Sequence, residues 1–516
     1  MTDKAPNTPI KISRAPIKVP RDSPVDNQKD LLKGAAANLF GFIIRLGARL
    51  PFLLVVALLY GMETFGQYLL AVTIAETLTA IILFGFKRSI FHFLYQDIHH
   101  DDMNGMFNTI KTAMILCLFL ASIILIPVYI WQDLLFPFFP AGMAKGVLIL
   151  LPAAILYALA EILLTATRAA RKMRYEVTAK SIIEPYVLLG FSAGLYFLHY
   201  VQLGLFIAYW MMNISIFIYA IYAFHKTYNM ARHDWGRISG DKVKSMIAFS
   251  APTAAYDLIS VIILRLDIYI LAAIVSPGAL GVYGIALQIM TVAKKIRQSF
   301  DPILEPVISQ TLKYANLGNV NKELARVSYW ILSIQALIFT LLIFYSTGLL
   351  ALFNITSDTA GLTLLALIGA VMIQGSFGLS ELIFIYKKPG VNLCLSLVVL
   401  LLHAGFCYFL SLKFGILGAA ISLIVSYSIT EAMRLLLTKY FFGRIPLNKN
   451  ILKPLLMASV LYGYLFLLSS FLELYSATGL VLGIIGGVFI YFLTFLIIAQ
   501  KEERVNLIKI IRFKRL

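Results

Sequence analysis

Arg45 and Arg49 lie four residues apart in one apolar stretch, and Arg265 lies in another. A guanidinium is planar, always charged, and grips two phosphate oxygens at once. Placing one at bilayer depth costs at least about 2.5 kcal/mol on insertion scales. Its presence there implies an anionic ligand, a water-lined cavity or a neighbouring acid. The spacing puts Arg45 and Arg49 on one helix face, suited either to lining an aqueous cavity that receives an anion or to pairing with carboxylates. Lys294 and Arg297 are three apart and share a face. They would attract an anionic headgroup, or serve as ordinary basic flanks of a span.

Isolated acids occupy similar surroundings. Glu76, Glu161, Glu184 and Glu381 stand alone in apolar runs. A carboxyl buried there can take up and release a proton near neutral pH, which suits ion coupling, or it can counter an arginine. Asp257 follows Pro252 by five residues, beside an expected helix kink. Asp267 is two residues from Arg265, so the two do not share a face; Asp267 is expected to orient another cation. His99-His100-Asp101-Asp102 contains metal-ligand types, but adjacent residues point apart, and the stretch reads as a solvated loop. No metal or cofactor is expected, and coupling would be to H+ or Na+.

These charges need long helices to hold them. The chain has 516 residues, 60% hydrophobic and 14% charged, against about 25% charged in soluble domains. The fold class is therefore all-α and polytopic in the membrane. About fourteen transmembrane helices are expected, near 34–60, 65–86, 108–131, 146–167, 178–198, 203–225, 246–275, 279–304, 327–350, 360–385, 390–412, 415–437, 454–472 and 477–499. The net charge of +18 does not indicate nucleic acid, because the basic residues flank apolar runs on alternate sides. Of 44 Lys and Arg, 36 fall in the tails and connections of one side, two (Lys145 and Lys413) fall on the other, and six lie within helices. That asymmetry predicts an even number of spans with both termini cytoplasmic. The longest outer connection, 131–145, is too short for a catalytic domain. Cys117, Cys394 and Cys407 read as small buried side chains.

The chain also repeats itself. Phe65-Gly66-Gln67-Tyr68-Leu69-Leu70-Ala71 resembles Leu280-Gly281-Val282-Tyr283-Gly284-Ile285-Ala286 at an offset of 215 residues. Leu159-Ala160-Glu161-Ile162-Leu163 resembles Leu379-Ser380-Glu381-Leu382-Ile383 at an offset of 220. Arg49 precedes the first phrase by seventeen residues, and Arg265 precedes the second by sixteen. The reading is two pseudo-symmetric six-helix bundles, 33–225 and 246–437, joined by a linker at 226–245. Two additional helices follow at 454–499, and tails occupy 1–32 and 500–516. Repeats of six helices share one orientation, with a pathway between them.

The Gly66-Gln67-Tyr68 phrase, the run from Pro252 through Leu264-Arg265-Leu266-Asp267 to Tyr283, and Phe414-Gly415-Ile416-Leu417-Gly418-Ala419-Ala420 together resemble a known superfamily. It comprises the multidrug/oligosaccharidyl-lipid/polysaccharide exporters, and the likeness is to the polysaccharide (O-antigen type) flippases. The resemblance implies a V-shaped pair of bundles that alternates between inward- and outward-open states in the bacterial inner membrane. It implies a polyprenyl-pyrophosphate-linked glycan as cargo, with no covalent chemistry by the protein. A polysaccharide polymerase, glycosyltransferases and membrane lipids would be partners. Alternatives are a lipid II flippase, a cation-coupled multidrug exporter and, from another class, a membrane glycosyltransferase or polymerase.

Overall fold

In the computed structural model, the structure describes residues 41, 44–99, 103–135, 137, 139–228, 238–314, 317–443 and 445–498. The expected tails, residues 229–237 of the linker, and His100-Asp101-Asp102 lie outside them. The described residues form helices and connections, with no strand among them. A chain this apolar must satisfy its backbone groups within each segment, and the helix does so.

In chain order the main helices begin with α1 (44–60), α2 (Gly61–Leu83), α3 (Phe86–His99) and α4 (Met103–Ile130). Next come α5 (Ala141–Leu150), α6 (Ala153–Ala169), α7 (174–197) and α8 (Gly204–Tyr228). The second half holds α9 (Gly240–Ile274), α10 (Pro277–Tyr314), α11 (Leu317–Ala351), α12 (Asp358–Phe377) and α13 (Glu381–Lys387). It ends with α14 (Pro389–Phe442), α15 (Leu452–Phe471) and α16 (477–498). Ten stretches among the described residues are long and apolar enough to cross a membrane. Two of the ten contain residues at positive φ. Ile44–Leu94 is interrupted at Gly61 (φ 80°) and Phe84 (φ 42°), and Pro389–Phe442 at Gly415 (φ 55°, ψ −131°). The count of fourteen crossings therefore remains a reading of the sequence.

Several boundaries differ from expectation. α2 begins at Gly61, ahead of the expected 65, and holds the Gly66-Gln67-Tyr68 phrase inside a helix as expected. The connection after α2 is not a loop: Phe86, Ile90 and Leu94 recur every four residues and are buried, which makes α3 an amphipathic helix. α10 runs on to Tyr314, beyond the expected 304, and holds Lys294, Lys295 and Arg297 within a helix as expected. The break expected at 199–202 is present, with His199 at φ 65°. Cys117 and Cys407 are buried, but Cys394 is exposed, contrary to expectation.

α2 is the central helix. It packs on α5 and α6 from its own half and on α9 and α10 from the other. The repeated phrases meet at this crossing. A Cβ on Gly66 would collide with the Pro277 carbonyl, and one on Gly281 with the Met62 carbonyl. Only glycines let the two backbones approach so closely, as at small-residue interfaces between membrane helices. α15 and α16 pack on α11 through Tyr329, Tyr345, Met457, Leu461, Tyr491 and Phe495. Phe119, Ile123 and Ile126 of α4 face outward, as lipid-facing side chains should.

Candidate functional site

α1, α2, α6, α7 and α8, with the crossing helices α9 and α10, surround a cavity of about 210 Å³. Arg45, Arg49, Glu76, Glu184, Arg265 and Gln288 line it, beside Phe52, Phe65, Tyr68, Tyr157 and Tyr209. One helical turn separates Arg45 from Arg49, so both project into the same space, as their spacing predicts.

The partners distinguish the arginines. Arg45 Nη2 donates to Glu184 Oε1 at 2.5 Å. Arg265 Nη2 donates to Glu76 Oε2 at 2.6 Å, tying α9 to α2 across the two halves. Among the described residues, Arg49 has no carboxylate within ion-pair distance. Its Nε and Nη2 both donate to the Gln288 amide oxygen, at 2.9 and 2.6 Å. An amide oxygen fixes the direction of a guanidinium without cancelling its charge. Three arginines and two glutamates line the cavity, so it carries one net positive charge, that of Arg49. Nη1 of Arg49 takes no part in these two bonds. Aromatic walls with one directed cation suit the headgroup of a phosphorylated amphiphile or the face of a sugar.

The remaining charges fall elsewhere. Glu161 sits between Lys87 Nζ at 2.5 Å and Lys180 Nζ at 2.9 Å. Its repeat counterpart Glu381 lies between Arg297 at 3.3 Å and Arg434 at 4.0 Å. Each repeated glutamate thus bridges two cations, which is a structural arrangement rather than an isolated acid. Arg297 also donates to the Gln374 carbonyl at 3.2 Å. Lys294 and Arg297 line a separate small cavity of about 110 Å³ with Gln298, Asp301 and Gln374. They are therefore not brought to the arginines at Arg45 and Arg49. Asp257 meets Arg88 at 3.2 Å, outside the main cavity. Asp267, expected to orient a cation, has none within ion-pair distance among the described residues: it accepts the Tyr283 hydroxyl at 2.6 Å and the Ile268 N–H at 2.9 Å. The second tyrosine of the repeat holds an acid, while the first, Tyr68, packs among Phe52, Phe65, Phe206 and Tyr209.

Two features escaped the sequence reading. Gln288 was visible only as a lone amide in an apolar helix. Arg434 is a buried residue of α14 that pairs with Glu431 at 2.7 Å; their i, i+3 spacing was the available signal. Among the described residues, no group of three or more His, Cys, Asp or Glu is placed to hold a metal ion.

The family described as polysaccharide biosynthesis protein matches residues 55–317. The chain belongs to that family. Among solved structures, it is similar to the lipid II flippase MurJ in an inward closed conformation, at 16% identity. That match has a TM-score of 0.70 and covers 88% of this chain and 98% of MurJ. It is also similar to an inward-facing multidrug resistance MATE family transporter of the MOP superfamily, at 15% identity. The TM-score there is 0.60, with 77% of this chain and 97% of the transporter covered. A MOP superfamily transporter from Pyrococcus furiosus Vc1 matches at 16% identity and a TM-score of 0.54, over 80% of this chain and 95% of its own. No curated protein matches the chain. The polysaccharide biosynthesis family member thus has the fold of MurJ and the MATE transporters and is an integral membrane protein.

Proposed function

We propose that the protein is a flippase that carries a polyprenyl-pyrophosphate-linked oligosaccharide across the bacterial inner membrane, with both termini cytoplasmic, for assembly of a surface polysaccharide. The observation that carries this reading is Arg49, held by a neutral amide in a cavity bordered by helices of both halves. Its guanidinium binds the pyrophosphate, and the aromatic wall receives the first sugars. Neutralising the headgroup lets the cavity close and reopen on the other side. Arg45 and Arg265, already paired, shape the cavity and respond when Glu184 or Glu76 changes state. Glycosyltransferases would supply the cargo on one face and a polymerase would consume it on the other.

The fold likeness to the lipid II flippase favours a second reading, in which the cargo is lipid II. The net positive lining argues against export of cationic drugs. Deleting the gene and analysing lipid-linked glycans separates these readings. The expected result is a polyprenyl-pyrophosphate oligosaccharide retained on the cytoplasmic side, restored by the wild-type gene and not by Arg49→Ala at equal abundance. Accumulation of peptidoglycan precursor would favour lipid II. Unchanged lipid-linked intermediates with greater dye sensitivity would overturn the flippase assignment.

A further inference from the structure

Two contacts between the halves bracket the main cavity along α2. At one end Gly66 meets Pro277 and Gly281 meets Met62, backbone against backbone. Tyr68, Val72, Glu76 and Thr79 follow and line the cavity. At the other end the chain turns at Gly85, φ 71°, into α3, and the halves meet again. The first contact is built from uncharged residues at backbone distance. The second is built from charged and aromatic side chains.

α3 belongs to the first half: Phe86, Ile90 and Leu94 are buried, and the helix packs on α4 and α6. Other side chains of α3 reach α9 of the second half. Arg88 Nη2 donates to Asp257 Oδ1 at 3.2 Å. The His92 ring stacks on Phe249 with centroids 4.6 Å apart and planes 9° from parallel. Lys242 Nζ lies 3.3 Å from Asp97 Oδ2 and 5.4 Å above the Phe93 ring. Thr109 of α4 braces the same carboxylate oxygen with a hydrogen bond of 2.9 Å. The partners rise through 88, 92 and 97 on α3 as they fall through 257, 249 and 242 on α9. The two helices therefore run antiparallel along a continuous seam about 14 Å long, at 1.5 Å per residue. Solvent reaches the seam: Arg88 and Asp257 are 54% and 36% exposed, and Lys242 and Asp97 are 21% and 14% exposed. Ion pairs that solvent reaches are individually weak and are weakened further by salt.

We propose that the seam between α3 and α9 is an electrostatic latch. It holds the main cavity shut at this end, and ionic strength sets how readily it opens. The glycine crossing at the other end has no charge for salt to screen, so the response belongs to one end of the cavity. In the orientation proposed above, that end is cytoplasmic, where the cargo would enter. The latch controls access to the cavity whatever the cargo is, so it stands apart from the cargo assignment.

The test places one reporter thiol in the cavity, Val72→Cys on α2, in the full-length protein carrying Cys117→Ala, Cys394→Ala and Cys407→Ala. The protein is held in lipid nanodiscs without any glycan lipid and is labelled with a polyethylene-glycol maleimide. That reagent is uncharged, so salt does not alter its attraction to the arginines. Labelling should speed up about threefold or more between about 50 mM and about 500 mM salt, equally in sodium and potassium chloride. With Asp97→Asn and Asp257→Asn together, labelling should be fast at both concentrations. Asp97→Lys alone should also label fast, and adding Lys242→Asp should restore slow labelling at low salt. If Val72→Cys does not fold, Leu188→Cys on α7 lines the same cavity and takes its place. Equal rates at the two salt concentrations in the parent reporter would overturn the proposal. So would a salt response that survives undiminished in the doubly neutralised protein. Because no glycan is present, the outcome is independent of whether the deletion strain accumulates one.

Discussion

The main cavity and the charge network at the far end of α12–α14 use the same residue types for different ends. In the network, Arg297, Glu381, Arg434 and Glu431 form a chain of cation and carboxylate contacts at 3.3, 4.0 and 2.7 Å. Each charge there is consumed by its neighbour. In the cavity, two arginines are likewise consumed, but Arg49 is anchored by an amide and keeps its charge. Depth alone therefore does not mark a binding cation. What matters is whether the anchoring partner is charged. Paired charges fix helix positions, and the amide-anchored one is left to meet a ligand.

The comparison can be broken from either side. The largest effect should come from the network. Glu431→Ala leaves buried Arg434 with only Glu381, 4.0 Å away, and removing one partner of a buried pair costs about 3–5 kcal/mol. A fall in thermal midpoint and in membrane abundance should follow, without any change in cargo preference among the surviving molecules. Gly66→Ala comes next. The added methyl would meet the Pro277 carbonyl, and overpacking of this kind costs about 1–3 kcal/mol. Cross-linking between α2 and α10 should report a displaced crossing, and transport should fall with it.

Gln288→Glu sharpens the comparison most cleanly, because it turns Arg49 into one more ion pair. Stability should hold or rise, while glycan transport in the deletion strain falls by about tenfold, the equivalent of about 1.4 kcal/mol. Unchanged transport would mean that Arg49's charge is not what the cavity uses. The smallest effect should belong to the pair Arg265–Glu76. Both side chains are partly exposed, at 29% and 43%, where an ion pair contributes about 1 kcal/mol or less. Glu76→Gln should lower transport mildly, and the exchange Glu76→Arg with Arg265→Glu should restore what either single change loses.

Much of the fold was legible because apolar run length and loop charge report directly on helices in a membrane. The break near His199 and the one before Gly415 were visible as punctuation in otherwise unbroken runs. α3 was not, because fourteen residues of mixed polarity resemble a loop until Phe86, Ile90 and Leu94 are read at helical spacing. The site was legible as a set of residue types and not as a set of partners. Arg45, Arg49 and Arg265 do share one cavity, but their partners lie 139, 239 and 189 residues away in sequence. No local pattern encodes such a pairing. The repeated phrase misled in a useful way. It looked like a signal attached to the arginines, whereas its glycines form the contact between the halves and its two tyrosines have separate duties.

The account stands on the charge that Arg49 retains, and binding of a polyprenyl pyrophosphate to the purified full-length protein in nanodiscs tests it most directly. Wild type should bind, Arg49→Ala should bind about 10- to 100-fold more weakly, the range expected for loss of one charge-assisted hydrogen-bonding group, and Gln288→Glu should fall between them. Equal affinity of wild type and Arg49→Ala, with both proteins folded, would contradict it.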